Sequence, residues 1–326
     1  MTFIWQDLTH DHIFNAVEAA LGIKLSNICL KRNSYINRVY ELEKLDSEER
    51  FIVKFYRPDR WSKEQILEEH QFLKDLNDKE IPVIPPLEIN NKSLFSLPIP
   101  NPTPPPFTFA LFPKKGGRAV NEFDQEGWLA LGRTVARIHL VGELKMNSKR
   151  MIWTPTHATK HHLGIIMKTD FLLPDFQESF TRICELFIKK AEPKFKNAEP
   201  FLIHGDLHKG NLLSRPGEGL FIVDFDDCCV GPAVQDLWLL LPDTIENSEN
   251  ELCWFLSGYE LFRSFDRSSL DLIPALQAMR IIHYAAWLAV QSTEPDFASH
   301  FPHAGTPRYW NELIKDLQGI VYAKLF

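Results

Sequence analysis

Hydrophobic positions change their spacing along this chain. Short strand-like stretches dominate the first third, and helical stripes dominate the rest. Asp11 to Leu21 reads as a short helix that Gly22 ends. The apolar stretches Arg38 to Leu45 and Arg50 to Tyr56 flank the polar run Asp46-Ser47-Glu48-Glu49. That pattern predicts an antiparallel hairpin, with Pro58 closing its second strand. From Ser62 to Leu76 the period becomes helical. Ser62 is the N-cap, Ile66, Leu73 and Leu76 share one stripe, and Phe72 lies on its shoulder. Glu69 falls on the same stripe, whereas Glu68 points about 100° away. A carboxylate in an apolar stripe calls for a partner. Pro82, Pro85 and Pro86 end helical structure, and strand candidates follow at Leu87 to Ile89, Ser93 to Leu97 and Phe107 to Phe112. Between the last two, Pro98, Pro100, Pro102, Pro104, Pro105 and Pro106 read as a stiff surface loop.

Gly116 and Gly117 mark a boundary, and helical patterns follow it. They cover Phe123 to Val141, Asp175 to Lys190, Gln235 to Leu241, Glu251 to Phe265, Leu270 to Val290 and Tyr309 to Leu325. Phe201 to Phe225 is the exception, with short apolar segments between polar loops. The expectation is an α+β chain of two lobes with a cleft between them. The lobes are a sheet-rich one over 1–112 and a mainly helical one over 113–326.

Composition narrows the picture. Apolar residues make up 44% and charged residues 24%, which suits a folded protein. A net charge of −7 argues against a dominant nucleic-acid or anionic-membrane surface. No apolar run approaches the length of a membrane span, and Asp7, His10, Asp11 and His12 interrupt what a signal peptide would need. The five cysteines are sparse and form no C-x-x-C pair, so reduced thiols in a cytoplasmic protein are expected. The adjacent Cys228 and Cys229 read as structural.

The chemistry concentrates in two segments. Leu202-Ile203-His204-Gly205-Asp206-Leu207-His208-Lys209-Gly210-Asn211-Leu212-Leu213 and Phe221-Ile222-Val223-Asp224-Phe225-Asp226-Asp227 both lead apolar strand formers into carboxylates. Asp206 is placed to accept a proton from an incoming hydroxyl. Asn211 and Asp224 offer the hard oxygens that suit Mg²⁺ bound together with phosphate. A zinc site from His204, Asp206 and His208 is the competing reading. The glycines and Lys209 fit an extended loop better, and Asn211 is a poor zinc ligand. His204 reads as a structural residue bonded to backbone. Lys54 lies in Phe51-Ile52-Val53-Lys54-Phe55-Tyr56, where a strand can pack its stem while its ammonium reaches phosphate. Glu69 is its natural partner. Asn33-Ser34-Tyr35-Ile36-Asn37 precedes the hairpin without a glycine, so a phosphate cradle there rests on Ser34 and Asn37 ordering a turn. Asp236 starts a helix and reads as a brace for the loop at Asp206. Arg280, His283 and Trp287 either line an acceptor groove or pack a helix, and packing is the plainer reading.

Taken together, these segments resemble the aminoglycoside phosphotransferase and choline kinase superfamily, whose fold is similar to that of protein kinases. More closely, they resemble the bacterial stress response kinase A (YihE/RdoA) family. The matching segments include Asn37-Arg38-Val39-Tyr40, Val53-Lys54-Phe55-Tyr56-Arg57-Pro58, Glu69-His70-Gln71-Phe72-Leu73 and Gly231-Pro232-Ala233-Val234-Gln235-Asp236-Leu237-Trp238. The resemblance implies a two-lobed protein-kinase-like fold and transfer of phosphate from ATP, with Mg²⁺, to serine or threonine hydroxyls of proteins under stress. Asp206 would orient the hydroxyl or act as base, with Asp224 beside it in catalysis. Asn211 and Asp224 would hold Mg²⁺, Lys54 would meet the nucleotide phosphates, and Glu69 would fix Lys54. Ser34 and Asn37 would sit by the phosphates. Phe109, Ala110, Leu111 and Phe112 would lie near the adenine-binding hinge. A monomer suffices for such a site. Two departures from eukaryotic protein kinases stand out. His208 replaces their usual lysine, and Asp224-Phe225-Asp226 replaces their DFG. The alternative acceptor is a small alcohol, such as an amino alcohol or sugar.

Overall fold

The computed structural model describes residues 5, 7–34, 36–97, 106–145, 147–323 and 325. The proline stretch from 98 to 105 and Tyr35 lie outside the described residues, as do 1–4 and 6 at the start. The chain divides into two compact units. One joins Thr2–Asp124 to Lys209–Asp226, and the other joins Gln125–His208 to Asp227–Phe326.

In the first unit, α1 (His10–Leu21) precedes β1 (Leu25–Arg32), β2 (Arg38–Lys44), β3 (Arg50–Tyr56), α2 (Lys63–Asp78), β4 (Phe95–Leu97), β5 (Phe107–Pro113) and β6 (Arg118–Ala119). The five larger strands form one antiparallel sheet in the order β1-β2-β3-β5-β4. The hairpin of β2 and β3 turns where the polar run predicted it. Alternation along β3 and β5 splits the sheet into two faces. Val53, Phe55, Phe109 and Leu111 bury themselves with Ile13 and Val17 of α1. Tyr56 and Ala110 pack on the other face against Ile66 of α2, with Phe112 alongside. Ser62 and Gln65 form a full capping box at the start of α2. Glu41, 1% exposed in β2, accepts from Arg32, from Arg50 at 2.8 Å and from Lys114 at 2.7 Å. It thereby ties three strands to the end of β5.

In the second unit, α3 (Gln125–Glu143), α4 (Pro155–Ile166), α5 (Pro174–Ala191) and β7 (Phe201–Ile203) are followed by the loop at Asp206. The chain then crosses to the first unit for β8 (Leu212–Arg215) and β9 (Gly219–Ile222), a hairpin paired with β6. It returns for β10 (Cys229–Gly231), α6 (Gln235–Trp238), α7 (Glu249–Tyr259), α8 (Ile273–Gln291), α9 (Phe297–His300) and α10 (Pro307–Ala323). Strand β10 pairs antiparallel with β7. Helix α4 and strand β1 have no counterpart in the sequence reading. Their apolar positions are too interrupted by polar ones to show a period, and tertiary packing supplies what local pattern lacks. Conversely, the strand expected at Leu87 to Ile89 is only a bridge between Ile89 and Lys92. The helix expected at Gln235 to Leu241 is a single turn, and the one expected from Glu251 to Phe265 stops at Tyr259.

Helices α3 and α7 approach closely enough to bring His139 onto Tyr259. Glycine makes this possible. A Cβ on Gly132 would lie 2.0 Å from the Phe255 carbonyl oxygen, and one on Gly258 would lie 2.1 Å from that of Leu129. The contact continues into a buried polar chain. Arg263 Nη1 donates to the Tyr259 hydroxyl at 2.9 Å, and Tyr259 pairs with His139 Nδ1 at 2.8 Å. His139 Nε2 then meets Asp236 Oδ2 at 3.1 Å. Burial holds the His139 pKa below its ordinary value against the pull of Asp236, and burial raises that of Tyr259. Neutral imidazole therefore accepts from the phenol and donates to the carboxylate.

Gly132→Ala is expected to remove about 1–3 kcal/mol of stability by forcing the two helices apart. Asp236→Ala should remove about 2–5 kcal/mol, because it strands buried donors. Denaturant midpoints of the variants check both. Unchanged midpoints would mean that neither contact matters to the fold.

Candidate active site

The loop after β7 is clamped by two consecutive residues of α6. The backbone N–H groups of His204 and Gly205 donate to the two carboxylate oxygens of Asp236 at 2.8 and 2.7 Å. Gln235 Nε2 donates to the Gly205 carbonyl at 2.8 Å, and its Oε1 accepts from Trp153 and Trp238. Both Gln235 and Asp236 are fully buried. Gly205 has φ +83°, and a Cβ there would meet the Asp227 carbonyl oxygen at 2.4 Å, so a larger residue has no place. His204, also fully buried, accepts the Asp206 N–H through Nδ1 at 3.3 Å. The sequence reading of His204 as loop support and of Asp236 as its brace describes this arrangement.

The loop presents Asp206 with its side chain 20% exposed. Its Oδ1 accepts from Arg280 Nη1 of α8 at 2.5 Å, and its Oδ2 lies 3.6 Å from His208 Nε2. Burial works against the charge on Asp206. The His208 hydrogen bond and the Arg280 guanidinium outweigh it and bring the pKa down to about 2. Asp206 is therefore a standing carboxylate. Arg280, left in the sequence reading as either groove or packing residue, proves to touch Asp206. Pattern alone could not show this, because a separation of 74 positions conceals the contact. His283 instead meets His162 at 3.0 Å, and Trp287 stacks on Tyr284 at 5.6 Å.

The other expected residues collect in the first unit. Lys54 is paired with Asp226 at 2.9 Å, with Glu69 at 3.8 Å and with Asp224 at 3.9 Å. Its ammonium also sits 5.0 Å from the Tyr56 ring centroid. Burial disfavours the charge, but Asp226 and Glu69 more than compensate and hold the Lys54 pKa well above its ordinary value. Glu69 is 1% exposed, as its place on the apolar stripe required. Arg60 also reaches Asp226, at 2.5 Å, and Asn37 Nδ2 donates to the same oxygen at 3.2 Å. Asn37 Oδ1 meanwhile accepts the Arg57 N–H at 3.0 Å. Asp226 thus gathers two cations and an amide, a role that the bare motif did not disclose. His70, bonded to Tyr56 and Ser93, has its pKa pushed down to about 3 by burial and by Lys54, so it adds no charge nearby.

Asn211 and Asp224 flank the open end of the β8–β9 hairpin, opposite its turn. The Asn211 carbonyl accepts the Val223 N–H at 3.0 Å, which sets Asn211 across from the residue before Asp224. Asp224 has φ +64° and a side chain 60% exposed. A left-handed non-glycine residue is a strained backbone that surrounding structure must hold, here the hairpin on one side and buried Phe225 on the other. Ser34 lies in the bend between β1 and β2, half-buried. The four β5 residues separate. Ala110 pairs with Lys54 and shares its face with Phe112, while Phe109 and Leu111 turn to the α1 side. The Leu111 carbonyl already accepts the Leu87 N–H at 2.7 Å. Strand alternation imposes this division, which a run of four named residues could not express.

The donors in the Lys54 cluster are all oxygens: three carboxylates facing two cations, with the Asn211 amide on the adjoining hairpin. That set suits a hard divalent cation. Among the described residues no group of three or more His, Cys, Asp or Glu is arranged to hold a metal by itself. A cation that draws its remaining ligands from phosphate and water matches such a sparse donor set.

Comparison with known proteins places this geometry. The model of the phosphotransferase enzyme family, APH, matches residues 30–273. Stress response kinase A of Escherichia coli (strain K12) is 35% identical over 313 residues, covering 94% of this chain and 91% of that protein. Serine/threonine protein kinase RdoA of Salmonella typhimurium is 33% identical with the same coverage. Among solved structures, the amicoumacin kinase hAmiN in complex with AMP-PNP, Ca²⁺ and Ami matches with TM-score 0.69 at 21% identity, covering 94% of this chain and 96% of that one. The microcompartment-associated aminopropanol kinase matches with TM-score 0.65 at 19% identity, covering 94% and 95%. These two likenesses show a common protein-kinase-like fold. With the family model matching residues 30–273 and these relatives covered over nine-tenths of their length, this chain belongs to the phosphotransferase enzyme family and, within it, to the stress response kinase A family.

Proposed function

We propose that this chain is an ATP-dependent kinase that phosphorylates serine and threonine hydroxyls of proteins in a bacterial stress response. The observation that carries the reading is Asp206. It is a carboxylate bonded to Arg280 and facing His208, on a loop braced at both peptide groups of Gly205, five residues before Asn211 in one continuous segment. Protein acceptors are supported by similarity to the relatives named serine/threonine protein kinase and stress response kinase.

In this reading Lys54 takes the nucleotide phosphates, exchanging part of its contact with Asp226 for them, and Glu69 keeps its stem in place. Asn37 serves by fixing Asp226, and Ser34 donates to phosphate. Ala110 and Phe112, on the Lys54 face of the sheet, form the adenine side, while Phe109 and Leu111 support it from behind. Asn211 and Asp224 would hold Mg²⁺, which neutralises phosphate charge and orients the transferred group when bound. The acceptor oxygen forms a bond to the γ-phosphorus as the bond from that phosphorus to the bridging oxygen of ADP breaks. The hydroxyl proton leaves late. With a pKa of about 2, Asp206 is a weak base, so its work is to accept the hydroxyl hydrogen bond and aim the oxygen.

A second reading is phosphorylation of a small alcohol. The fold likeness to the aminopropanol kinase and the amicoumacin kinase supports it. Transfer of labelled γ-phosphate from ATP with Mg²⁺ separates the two. The acceptors are the protein itself, an acidic and a basic carrier protein, a bacterial extract and a panel of small alcohols. Label on serine or threonine supports the first reading, and label confined to small alcohols replaces it with the second.

Asp206→Asn is expected to lower kcat by about 10²–10⁴-fold while nucleotide binding persists, measured by calorimetry beside the turnover assay. Lys54→Ala should lower kcat/KM for ATP by about 10²-fold. Unaltered kinetics would remove Lys54 from the nucleotide site. The pH dependence has a definite sign. A carboxylate with a depressed pKa contributes stability that is complete above its ordinary value of 3.8 and is lost as pH falls through about 2. Protonation of Asp206 therefore contributes no acid limb above about pH 4. An acid limb near neutral pH that disappears in Asp206→Asn would contradict this.

A further inference from the structure

Asp206 does not meet its acceptor as a bare negative charge. Arg280 spends one guanidinium nitrogen on Asp206 Oδ1, and its side chain remains 30% exposed. A guanidinium carries five N–H donors in one plane. Among the described residues no second acceptor reaches those of Arg280. Helix α8 explains why they stay available. Ala278, Met279 and Ile282 are buried, while Arg280 is half-buried and lies on the side of the helix where Tyr284, one turn on, is exposed. On the other side of the carboxylate, His208 stands 3.6 Å from Oδ2.

This arrangement changes what can approach the hydroxyl-orienting oxygen. An alcohol with a nearby ammonium would ordinarily find the catalytic carboxylate attractive. Here the guanidinium offsets that attraction and repels the second cation at close range. An alcohol with a nearby carboxylate meets the reverse. Its hydroxyl can hydrogen-bond Asp206 while its anion takes the unused, charge-assisted donors of Arg280 in a two-point contact. We propose that Arg280 is an acceptor-specificity residue, selecting a hydroxyl carried beside an anionic group and turning away one carried beside an ammonium. This rests on the reading of Asp206 as the group that orients the acceptor. In a protein substrate the anion is an aspartate or glutamate next to the target serine or threonine. In a free metabolite it is the carboxylate of a hydroxy acid.

The test is a charge series in each acceptor class, read as kcat/KM with ATP and Mg²⁺. Serine peptides of one scaffold carry Asp, Ala or Lys beside the serine, and the small-alcohol arm uses glycerate, glycerol and ethanolamine. The expected result is a preference of about tenfold for the acidic member over the neutral one, the scale of one charge-assisted hydrogen bond, with the cationic member poorest. Arg280→Gln should flatten the series even though its overall rate also falls, and Arg280→Lys should restore part of the preference. The wild-type series alone can overturn the proposal, so the variants need not fold for it to fail. Phosphorylated peptides with no charge preference, or with the lysine member preferred, overturn it and leave the protein-kinase reading standing. Preference for glycerate with no transfer to peptides supports the Arg280 assignment and overturns protein acceptors. Preference for ethanolamine, or transfer to no acceptor in either arm, overturns both.

Discussion

A buried carboxylate with no exposure to water must have its oxygens filled, and Asp236 meets that demand with the loop that carries Asp206. Two of its donors are the backbone N–H groups of His204 and Gly205, and the third is His139. Desolvating an ionised side chain is costly unless hydrogen bonds replace the lost water. The same bonds that make Asp236 tolerable therefore fix the conformation of the residues just before Asp206. The dependence extends outward. His139 is in place because α3 and α7 pack at glycine contact, and Tyr259 and Arg263 hold the far side of its ring. Gln235, next in sequence to Asp236, closes the loop's remaining carbonyl.

The first unit follows a different electrostatic logic. Lys54 has its stem in a strand and its ammonium among Asp226, Glu69 and Asp224, while Arg60 adds a second cation to Asp226. Three carboxylates around two cations leave room for further positive charge. That is the condition expected of a place that accepts a divalent ion and phosphate together. The positive φ of Asp224 belongs to the same economy of position. A strained turn puts its carboxylate outward, where a ligand can reach it, and the buried Phe225 and Asp226 that follow hold the turn in place.

These two designs give the functional reading its shape. In the proposed reading, the residues on the nucleotide side serve any phosphoryl transfer and say little about the acceptor. In that reading Arg280, bonded to Asp206, stands on the acceptor side. In the proposed reading, a guanidinium bonded to Asp206 sets this chain apart from a site built to attract a polycationic alcohol, because it offsets the negative charge that such an alcohol would seek.

Much of this was legible in the linear pattern. The β2–β3 hairpin, the Ser62 cap of α2, the burial of Glu69 and the bracing roles of His204 and Asp236 follow from periodicity, turn chemistry and the cost of burying charge. All of these are local rules. The family membership rested on motifs spread across the chain in a fixed order. Tertiary structure alone decided which cation meets which carboxylate. Lys54 pairs most closely with Asp226, Asn37 anchors that same carboxylate, the β5 residues divide between two faces, and Arg280 reaches Asp206 across 74 positions. Coulombic pairing depends on distance in space, and the order of residues along a chain carries that distance only within one helix or hairpin.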